Sequence, residues 1–342
     1  MDGAIAEKTE QSQAFSAVRL VLDPAPNVLS VRPFNMTSSP AHGPLTVSVV
    51  VPTRNRPEHA EGCARSILAT TGFLDLTFVD QSDGVATQEA LSRISDPRFR
   101  YVRSDARGVT KGRNLGISVT KGEVIAYTDD DCRVSPDWAQ RIGELFASDP
   151  EIAVVCGRVR VPEEIQQLGY AEGFEPHQRE WQNRFPQLGR DWGITANFSI
   201  RRSILSRVGV FDPFLGAGAP LRSGGEPDFL FRVLRNGFKV VNAEEVVVDH
   251  YGIRRPGDEF KRLILGYSAG TAAAMFKHVR LGDWAGIVVY SRFLGSTLLR
   301  VSGNLLRGRR PSGAGYLRAF ISGTVSSCRF GIDRARREYI ER

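Results

Sequence analysis

Three consecutive carboxylates, Asp129, Asp130 and Asp131, are the side chains of this sequence with the clearest chemical use. They follow an apolar run that is predicted to be a buried strand. Adjacent negative charges repel one another unless a cation or solvent screens them. Mg²⁺ and Mn²⁺ bind oxygen ligands and usually keep water and substrate phosphates as their other partners. The triplet therefore favours a divalent-cation site that also holds a diphosphate, and a solvated acidic turn is the simpler alternative.

Polar residues also follow three other apolar runs of the chain. Thr53 and Asn55 come after the first β-branched run. Asp80 comes after the second run, and His250 comes after the last. Ligands of open α/β sheets bind beyond the carboxyl ends of the strands. We therefore expect these side chains to meet the acidic triplet in one crevice.

The elements that must position these residues follow from hydrophobic periodicity. The predicted strands cover 46–51, 76–79, 99–102, 123–128, 152–161, 196–200 and 240–248, and the predicted helices cover 57–70, 86–94, 138–147 and 228–236, with a loop running into a helix over 108–120. Such alternation is typical of an α/β fold with a mostly parallel sheet flanked by helices. Side-chain alternation along a strand would point Asp129 and Asp131 to the same side.

Five motifs in a fixed order make the central part of the chain resemble a known family. They are VSVVVPTRNRP (47–57), FVDQSD (78–83), GVTKGRNLG (108–116), GEVIAYTDDD (122–131) and GGEPDFLFR (224–232). In this order they resemble the family 2 glycosyltransferases of the GT-A fold, over about 47–255. The resemblance implies a Rossmann-like sheet and a nucleoside-diphosphate sugar as the donor.

The resemblance also implies roles for individual residues. The residues that would contact the nucleotide are Pro52, Thr53, Asn55, Asp80, Arg113, Asp129 and Asp130. Asp131 and His250 would bind the cation, which is either Mn²⁺ or Mg²⁺, and an imidazole ligand suits Mn²⁺ better. Gln81 stands where the family often has a second aspartate, so the identity of the nucleotide base stays open.

The block at 224–228 resembles the acidic motif on the acceptor side of the family. The reaction needs one carboxylate to take the proton of the acceptor hydroxyl. Glu226 and Asp228 are both candidates for this base, and Asp228 is preferred because it keeps the register of the following DFLFR residues. Pro227 departs from the family pattern, and either carboxylate could instead face the dipole of the helix that starts here.

Composition divides the chain into three predicted regions. Residues 1–44 form an irregular N-terminal extension, 45–255 form the glycosyltransferase domain, and 256–342 form a basic helical region. The domain has a nucleotide-binding half over 45–135 and an acceptor half over 136–255. The last 92 residues of the chain, from Tyr251 on, contain 17 Lys and Arg against 6 Asp and Glu.

Residues 284–307 show the periodicity of a basic amphipathic helix. Its predicted apolar side holds Ile287, Leu294, Leu298, Val301 and Leu305, and its predicted basic side holds Arg292, Arg300 and Arg307. Such a helix lies on a membrane surface, caps the catalytic domain or makes a contact in an oligomer. All three interpretations stay open at the level of the sequence.

Together these features predict a metal-dependent, inverting glycosyltransferase that uses a UDP-sugar or another nucleoside-diphosphate sugar. Its acceptor would be a glycan or a lipid-linked sugar in the synthesis of a cell-envelope polysaccharide. One alternative is a nucleotidyltransferase with a related sheet, although the first loop lacks the glycines and lysine expected there. Another is a catalytically degenerate carbohydrate-binding homologue.

The remaining composition excludes several classes of protein. No DNA- or RNA-binding motif is present, so nucleic acid is not expected as a partner despite the net charge of +7. The sequence shows neither a secretory signal nor a run of 18 uncharged apolar residues. The four scattered cysteines fit a reducing compartment. We therefore expect a cytoplasmic protein, either free or on the inner face of the plasma membrane.

Overall fold

The computed structural model of this protein describes residues 44–176, 180–182, 193–254, 257–306 and 313–342. The predicted N-terminal extension over 1–44 lies outside the described residues except for its last position. The division of the chain into three regions stays a prediction.

A nine-stranded sheet organises the described structure, and a short hairpin lies near the C-terminus. The strands are β1 (Val47–Thr53), β2 (Asp75–Asp80), β3 (Phe99–Arg103), β4 (Val124–Tyr127), β5 (Cys132–Val134), β6 (Ile152–Arg160), β7 (Glu180–Gln182), β8 (Phe198–Arg201), β9 (Lys239–His250), β10 (Gly331–Asp333) and β11 (Glu338–Ile340). The order across the sheet is β3-β2-β1-β4-β8-β6-β9-β5, and β7 also pairs with β9. β10 and β11 form the hairpin.

Six of the nine strands of the described sheet run in the same direction. β3, β2, β1 and β4 are parallel neighbours, and β6 is parallel to β9. β8 runs antiparallel between β4 and β6, while β5 and β7 run antiparallel to β9. The prediction of a mostly parallel sheet is confirmed. Because the parallel strands end at one edge, the polar residues that follow them are brought to the same side of the molecule.

Helices flank this sheet, as predicted. They are α1 (Pro57–Leu68), α2 (Ala86–Leu91), α3 (Val109–Val119), α4 (Trp138–Ser148), α5 (Glu163–Leu168), α6 (Leu205–Val208), α7 (Gly225–Arg235), α8 (Asp258–Arg280), α9 (Trp284–Leu306) and α10 (Ala314–Ser327). The helix predicted over 228–236 begins three residues earlier than expected, so that both Glu226 and Asp228 lie in the first turn of α7.

Continuous burial explains why β1 lies in the middle of the parallel half of the sheet. Every residue from Val47 to Thr53 is buried, which is what a run of β-branched side chains covered on both faces requires. Helix α3 packs closely over this strand, since a Cβ added at Gly116 would lie 2.2 Å from Val50. The close approach places the start of α3 beside the ends of β1 and β2.

The C-terminal helices are part of the same packed structure. Helix α8 lies between the start of α7 and helix α10: a Cβ at Gly270 would meet Ser223 at 2.4 Å, and one at Gly323 would meet the carbonyl of Ala269 at 2.0 Å. The terminal hairpin is anchored by Tyr339, whose backbone N–H donates to a buried carboxylate. Among the described residues, no helix combines the length and the hydrophobicity that crossing a lipid bilayer requires.

Helix α9 confirms the predicted helix, but its exposed side coincides only in part with the predicted apolar side. Ile287 and Leu298 of the predicted apolar side are exposed, whereas Leu294 and Val301 are half-buried. Trp284, Val288 and Leu299 are exposed as well. The difference arises because α8 and α10 cover part of the helix surface, which periodicity within one helix does not reveal. The side chains of Arg300 and Leu305 and the whole of Arg307 lie outside the described residues.

Candidate active site

The ends of four strands meet in one crevice. Thr53 and Asp80, the last residues of β1 and β2, are paired in the register of the sheet. The Thr53 hydroxyl donates to Oδ2 of Asp130 at 2.7 Å. Nε2 of His250, at the end of β9, lies 3.3 Å from Oδ1 of Asp131. The structure thus brings together the residues that the strand ends predict, and their roles in binding stay predictions.

The acidic triplet does not alternate in the way a strand would. Strand β4 ends at Tyr127, and the chain turns through Asp130 and Asp131. The strand alternation on which the expectation for Asp129 and Asp131 rests is therefore absent, although both carboxylates lie close enough to His250 to raise the pKa of its imidazole. Asp130 and Asp131 instead share a partner, while Asp129 faces the guanidinium of Arg113 at 3.6 Å.

Arg56 is the shared partner of the two buried carboxylates. Its Nη1 donates to Asp130 Oδ1 at 2.9 Å and to Asp131 Oδ2 at 2.7 Å. Burial and the neighbouring Asp131 raise the pKa of Asp130 to about 6. Burial alone would raise the pKa of Asp131 as well, but His250 and Arg56 hold it well below its ordinary range. This pair of carboxylates therefore attracts positive charge, although sequence reasoning did not single out Arg56.

His250 is held in a defined tautomer beside Asp131. Its Nδ1 lies 2.8 Å from the backbone carbonyl of Glu172 and must donate, because a carbonyl only accepts. Nε2 is therefore left either to carry a proton that pairs with Asp131 or to bind a cation. Burial lowers the pKa of His250, but the carboxylates of Asp131 and Asp129 outweigh it and raise the pKa to about 9.

The surroundings of this pair fit a divalent cation. A Cβ at Gly252 would lie 2.2 Å from Asp131 Oδ2 and 2.7 Å from His250 Nε2, so the absence of a side chain keeps this space open. One carboxylate and one imidazole suit Mn²⁺. The thiol of Cys132 lies in the same cluster, but burial raises its pKa well above the ordinary value. A thiolate ligand is therefore disfavoured there.

Arg113 joins the Asp129 side of the crevice to the first turn of α7. Its side chain is buried, and its Nη1 lies 3.3 Å from Glu226 Oε1. Its Nη2 donates to the hydroxyl of Thr195, which in turn donates to the same Glu226 oxygen at 2.7 Å. Arg113 thus contacts Asp129 and Glu226, and the carboxylate of Glu226 keeps a quarter of its surface exposed.

Asp228 lies one layer deeper and has no exposed surface. Lys277 Nζ lies 2.7 Å from its Oδ1, His278 Nε2 lies 2.8 Å from the same oxygen, and Arg232 contacts Oδ2 at 3.0 Å. Burial opposes ionisation, but Lys277 and Arg232 hold the pKa of Asp228 far below its ordinary range. The register of the following residues favours Asp228 as the base, but its complete burial argues against it, because an acceptor hydroxyl has no access to this carboxylate.

At the ends of β1 and β2, Asp80 is also buried and already paired. Its oxygens accept from the backbone N–H of Ser82, the hydroxyl of Tyr101 and the guanidinium of Arg103. Pro52 is likewise buried, beneath the start of α3. Both residues therefore lie beneath the surface of the crevice, and the predicted direct contact with the nucleotide stays a prediction.

The exposed polar groups at this end include Asn55 and Asp83. The amide of Asn55 donates to Asp83 at 2.6 Å, and its own oxygen accepts from the Asp83 backbone N–H. Asn55 has a φ of 57°, a left-handed conformation that asparagine tolerates better than most residues. Asp83 is more than half exposed and also contacts Arg54 and Arg107. Its place in a polar cluster after β2 was the signal that could have identified it.

Glu172 is a second carboxylate at the crevice that sequence reasoning missed. It is half-buried, and Tyr267 of α8 donates to its Oε2 at 2.7 Å. Burial, together with the nearby charge of Glu226, raises the pKa of Glu172. No motif surrounds this residue, and only the folding of α8 against the loop before β7 reveals its position.

Comparison with known proteins agrees with this architecture. Residues 48–209 match the family model described as glycosyl transferase family 2. This segment, a little under half of the chain, is therefore a family 2 glycosyltransferase domain, and the fold of the chain is the GT-A fold.

Two relatives from Haloferax volcanii show how far the similarity extends. A glucosyl-dolichyl phosphate glucuronosyltransferase is 27% identical over 192 residues, which cover 50% of this chain and 58% of that protein. Glycosyltransferase AglE is 24% identical over 215 residues, which cover 60% of this chain and 66% of that protein. The matched segments thus span less than two thirds of either relative.

A solved structure is similar over nearly the whole chain. The mannosyltransferase PcManGT from Pyrobaculum calidifontis, in complex with GDP-Man and Mn²⁺, superposes with a TM-score of 0.56. The sequence identity is 16%, and the match covers 95% of this chain and 97% of that chain. At this identity the likeness concerns the fold alone.

Proposed function

We propose that this chain is a metal-dependent glycosyltransferase that moves a sugar from a nucleoside-diphosphate sugar to a glycan or lipid-linked acceptor. One observation carries the proposal: the Asp131–His250 pair and the partly exposed Glu226 carboxylate line the same crevice, with Arg113 between them. The first group suits a cation with a diphosphate, and the second suits an acceptor hydroxyl. A transferase needs both within reach of one anomeric carbon.

Asp131 and His250 would hold the cation, and their carboxylate–imidazole combination fits Mn²⁺ better than Mg²⁺. Bound there, the cation would supply neutralisation of the charge that develops on the departing diphosphate. Arg56 now bridges Asp130 and Asp131, and about a third of its side chain is exposed. It is in position to pair with a phosphate oxygen when those carboxylates have another positive partner.

Glu226 is the base in this proposal. Arg113 and Thr195 both bind its Oε1, which orients the carboxylate and leaves Oε2 available for a hydroxyl. In a single displacement the acceptor oxygen attacks the anomeric carbon, and its proton passes to Glu226 as the bond to the diphosphate breaks. Such a displacement inverts the anomeric configuration.

Asn55 and Asp83 are the groups we propose for direct contact with the nucleoside, with Asp80 supporting them from beneath. A UDP-sugar is the first choice of donor, since a carboxylate at this end can accept the imide N–H of uracil. A lipid-linked acceptor is in keeping with the glucosyl-dolichyl phosphate in the name of one relative. The proposed setting is polysaccharide synthesis at the cytoplasmic side of a cell envelope.

A thermal-shift titration of the purified chain tests the proposal. UDP, GDP and dTDP are each added with and without MnCl₂. We expect one nucleoside diphosphate to stabilise the protein only with Mn²⁺, by about 2.7 kcal/mol at a concentration one hundred times its Kd.

Two variants and a control complete this experiment. Asp131→Asn and His250→Gln should lose the Mn²⁺-dependent part of the shift, while Glu163→Gln, an exposed carboxylate outside the crevice, should keep it. If no nucleoside diphosphate stabilises the chain, or if Asp131→Asn responds as the parent does, the proposed donor site is wrong. Transfer from the stabilising donor to lipid-linked and free sugar acceptors then identifies the acceptor class.

A further inference from the structure

Large exposed apolar side chains are concentrated on two neighbouring C-terminal helices. The exposed large apolar residues of α9 and α10 are Trp284, Ile287, Val288, Leu298, Leu299, Ile321 and Val325. They include Leu299, which is 75% exposed, and Val325, which is 60% exposed. Elsewhere in the described residues only four comparable side chains are exposed, and they are scattered. This concentration marks a surface with a binding role.

Each helix presents these residues as one face. On α9 they lie near both ends, at 284–288 and 298–299, and the small residues Ser291 and Gly295 lie on the same side of the helix between them. On α10, Ile321 and Val325 are one turn apart. We call the exposed side chains of these two helices the apolar face. Tyr290 of α9 packs on α10 from the opposite, buried side.

The segment that carries the apolar face has an unusual charge. No Asp or Glu occurs from residue 284 to residue 332. The same segment contains seven arginines, which are Arg292, Arg300, Arg307, Arg309, Arg310, Arg318 and Arg329. Arg318 and Arg329 are exposed beside Ile321 and Val325. In the part of the chain that the structure describes, the face therefore combines hydrophobic side chains with the exposed guanidinium groups of Arg318 and Arg329, and the segment itself contains no acidic residue.

The combination of exposed apolar side chains with arginines indicates which kind of partner binds this face. A second copy of the chain would bring two arginine-bearing faces together without a single carboxylate in the segment to pair with them, and like charges at an interface are unfavourable. The surface of an anionic lipid bilayer satisfies both features, because acyl chains accept the apolar side chains and headgroups attract the arginines. We propose that the apolar face of α9 and α10 binds the surface of a membrane that contains anionic lipids.

The apolar face lies close enough to the crevice for membrane binding to bring a lipid-linked acceptor near Glu226. Gly323 of α10 packs on Ala269 of α8, and the next residue of α8, Gly270, packs on Ser223 at the start of α7. Only one helix therefore separates α10 from the turn that carries Glu226. With interaxial distances of about 8–10 Å for each packed pair, α10 lies at most about 20 Å from that turn. The use of a lipid-linked acceptor rests on the proposed function, whereas membrane binding does not.

Vesicle flotation of the full chain tests the proposal. The vesicles are made either of phosphatidylcholine with 30% phosphatidylglycerol or of phosphatidylcholine alone. We expect the chain to float with the anionic vesicles, at least tenfold more than with the neutral ones, and to be released by high salt.

Matched variants separate the apolar from the charged contribution. Leu299→Asp with Val325→Asp should lower flotation at least tenfold, and Arg318→Glu with Arg329→Glu should also lower it. Leu168→Asp is the control, because Leu168 is 64% exposed on α5 and lies outside the face. All these positions are exposed, so circular dichroism and the nucleoside-diphosphate thermal shift should match those of the parent.

Three outcomes would overturn the proposal. The first is equal flotation with neutral and anionic vesicles, and the second is unchanged flotation of the Leu299→Asp/Val325→Asp variant. In the third, the chain does not float, light scattering shows that it is a dimer, and the same two substitutions convert the dimer to a monomer. The last outcome would assign the face to a second copy. Because the thermal shift with nucleoside diphosphates is measured on the same samples, failure of lipid binding is distinguished from failure of the donor site.

Discussion

Glu226 and Asp228 lie two residues apart in the first turn of α7, yet their environments predict opposite consequences when each is changed to its amide. Glu226 is a quarter exposed and has two polar partners that an amide oxygen can still bind. Glu226→Gln should leave the free energy of unfolding within about 1 kcal/mol of the parent value. If Glu226 is the base, turnover should fall by about 10²- to 10⁴-fold.

Asp228→Asn should instead act on stability. The carboxylate is fully buried, and its negative charge balances the positive charges of Lys277 and Arg232. Removing one partner from a buried ion pair costs about 3–5 kcal/mol, because the remaining charge keeps its desolvation penalty. Asp212 still neutralises Lys277 at 2.7 Å, which places the expected loss towards the lower end of that range.

The assay measures both quantities for each variant. Urea denaturation followed by circular dichroism gives stability, and initial rates of sugar transfer are taken at a temperature where every variant is folded. Glu58→Gln is the control, because Glu58 is an exposed acid in the first turn of another helix, α1. The reasoning is refuted if Asp228→Asn keeps normal stability but loses turnover, while Glu226→Gln stays within threefold of the parent rate.

The remaining predictions concern packing, the cation site and pH. Gly116→Ala should destabilise the protein by about 1–3 kcal/mol in urea, because the added methyl meets β1 at 2.2 Å; Gly84→Ala, which meets nothing within 4 Å, should stay within about 0.5 kcal/mol. Gly252→Ala should abolish the Mn²⁺-dependent thermal shift by crowding Asp131, and an unchanged shift would place the cation elsewhere. Burial lowers the pKa of His278 from 6.5 to about 4. The unfolded chain therefore binds the proton more readily, so stability should fall by on the order of 3 kcal/mol as pH drops from 6.5 to 4. A His278→Phe variant should lack this part of the pH dependence, as urea titrations at several pH values would show.

Local patterns were sufficient to predict the sheet and the place of the site. The run at 46–51 is β-branched and continuous, and the run at 76–79 is short and bounded by polar residues. Both are strands of the parallel half, and the polar groups after them face one crevice. The prediction succeeded because burial of a strand on both faces imposes its own composition, which can be read over a few neighbouring residues.

The same patterns failed where a side chain depends on distant partners. The side chains of the acidic triplet were expected to alternate between the two faces of a strand, but strand β4 ends before the triplet. Arg56 instead donates hydrogen bonds to both Asp130 and Asp131. Arg56 itself follows the first strand, and nothing in its own neighbourhood indicates a contact with residues 74 and 75 positions away.

The amino-acid sequence by itself indicated the glycosyltransferase domain, the parallel half of the sheet and the group of polar strand ends. The tertiary structure decided which carboxylate of α7 is exposed and which apolar side chains of α9 face outward. Lys277 and His278, about 50 residues after Asp228, bury that carboxylate, and the packing of α8 and α10 chooses the open face of α9. The physical reason is that hydrophobic periodicity is a property of adjacent residues, whereas burial and ion pairing depend on which distant segments pack against them.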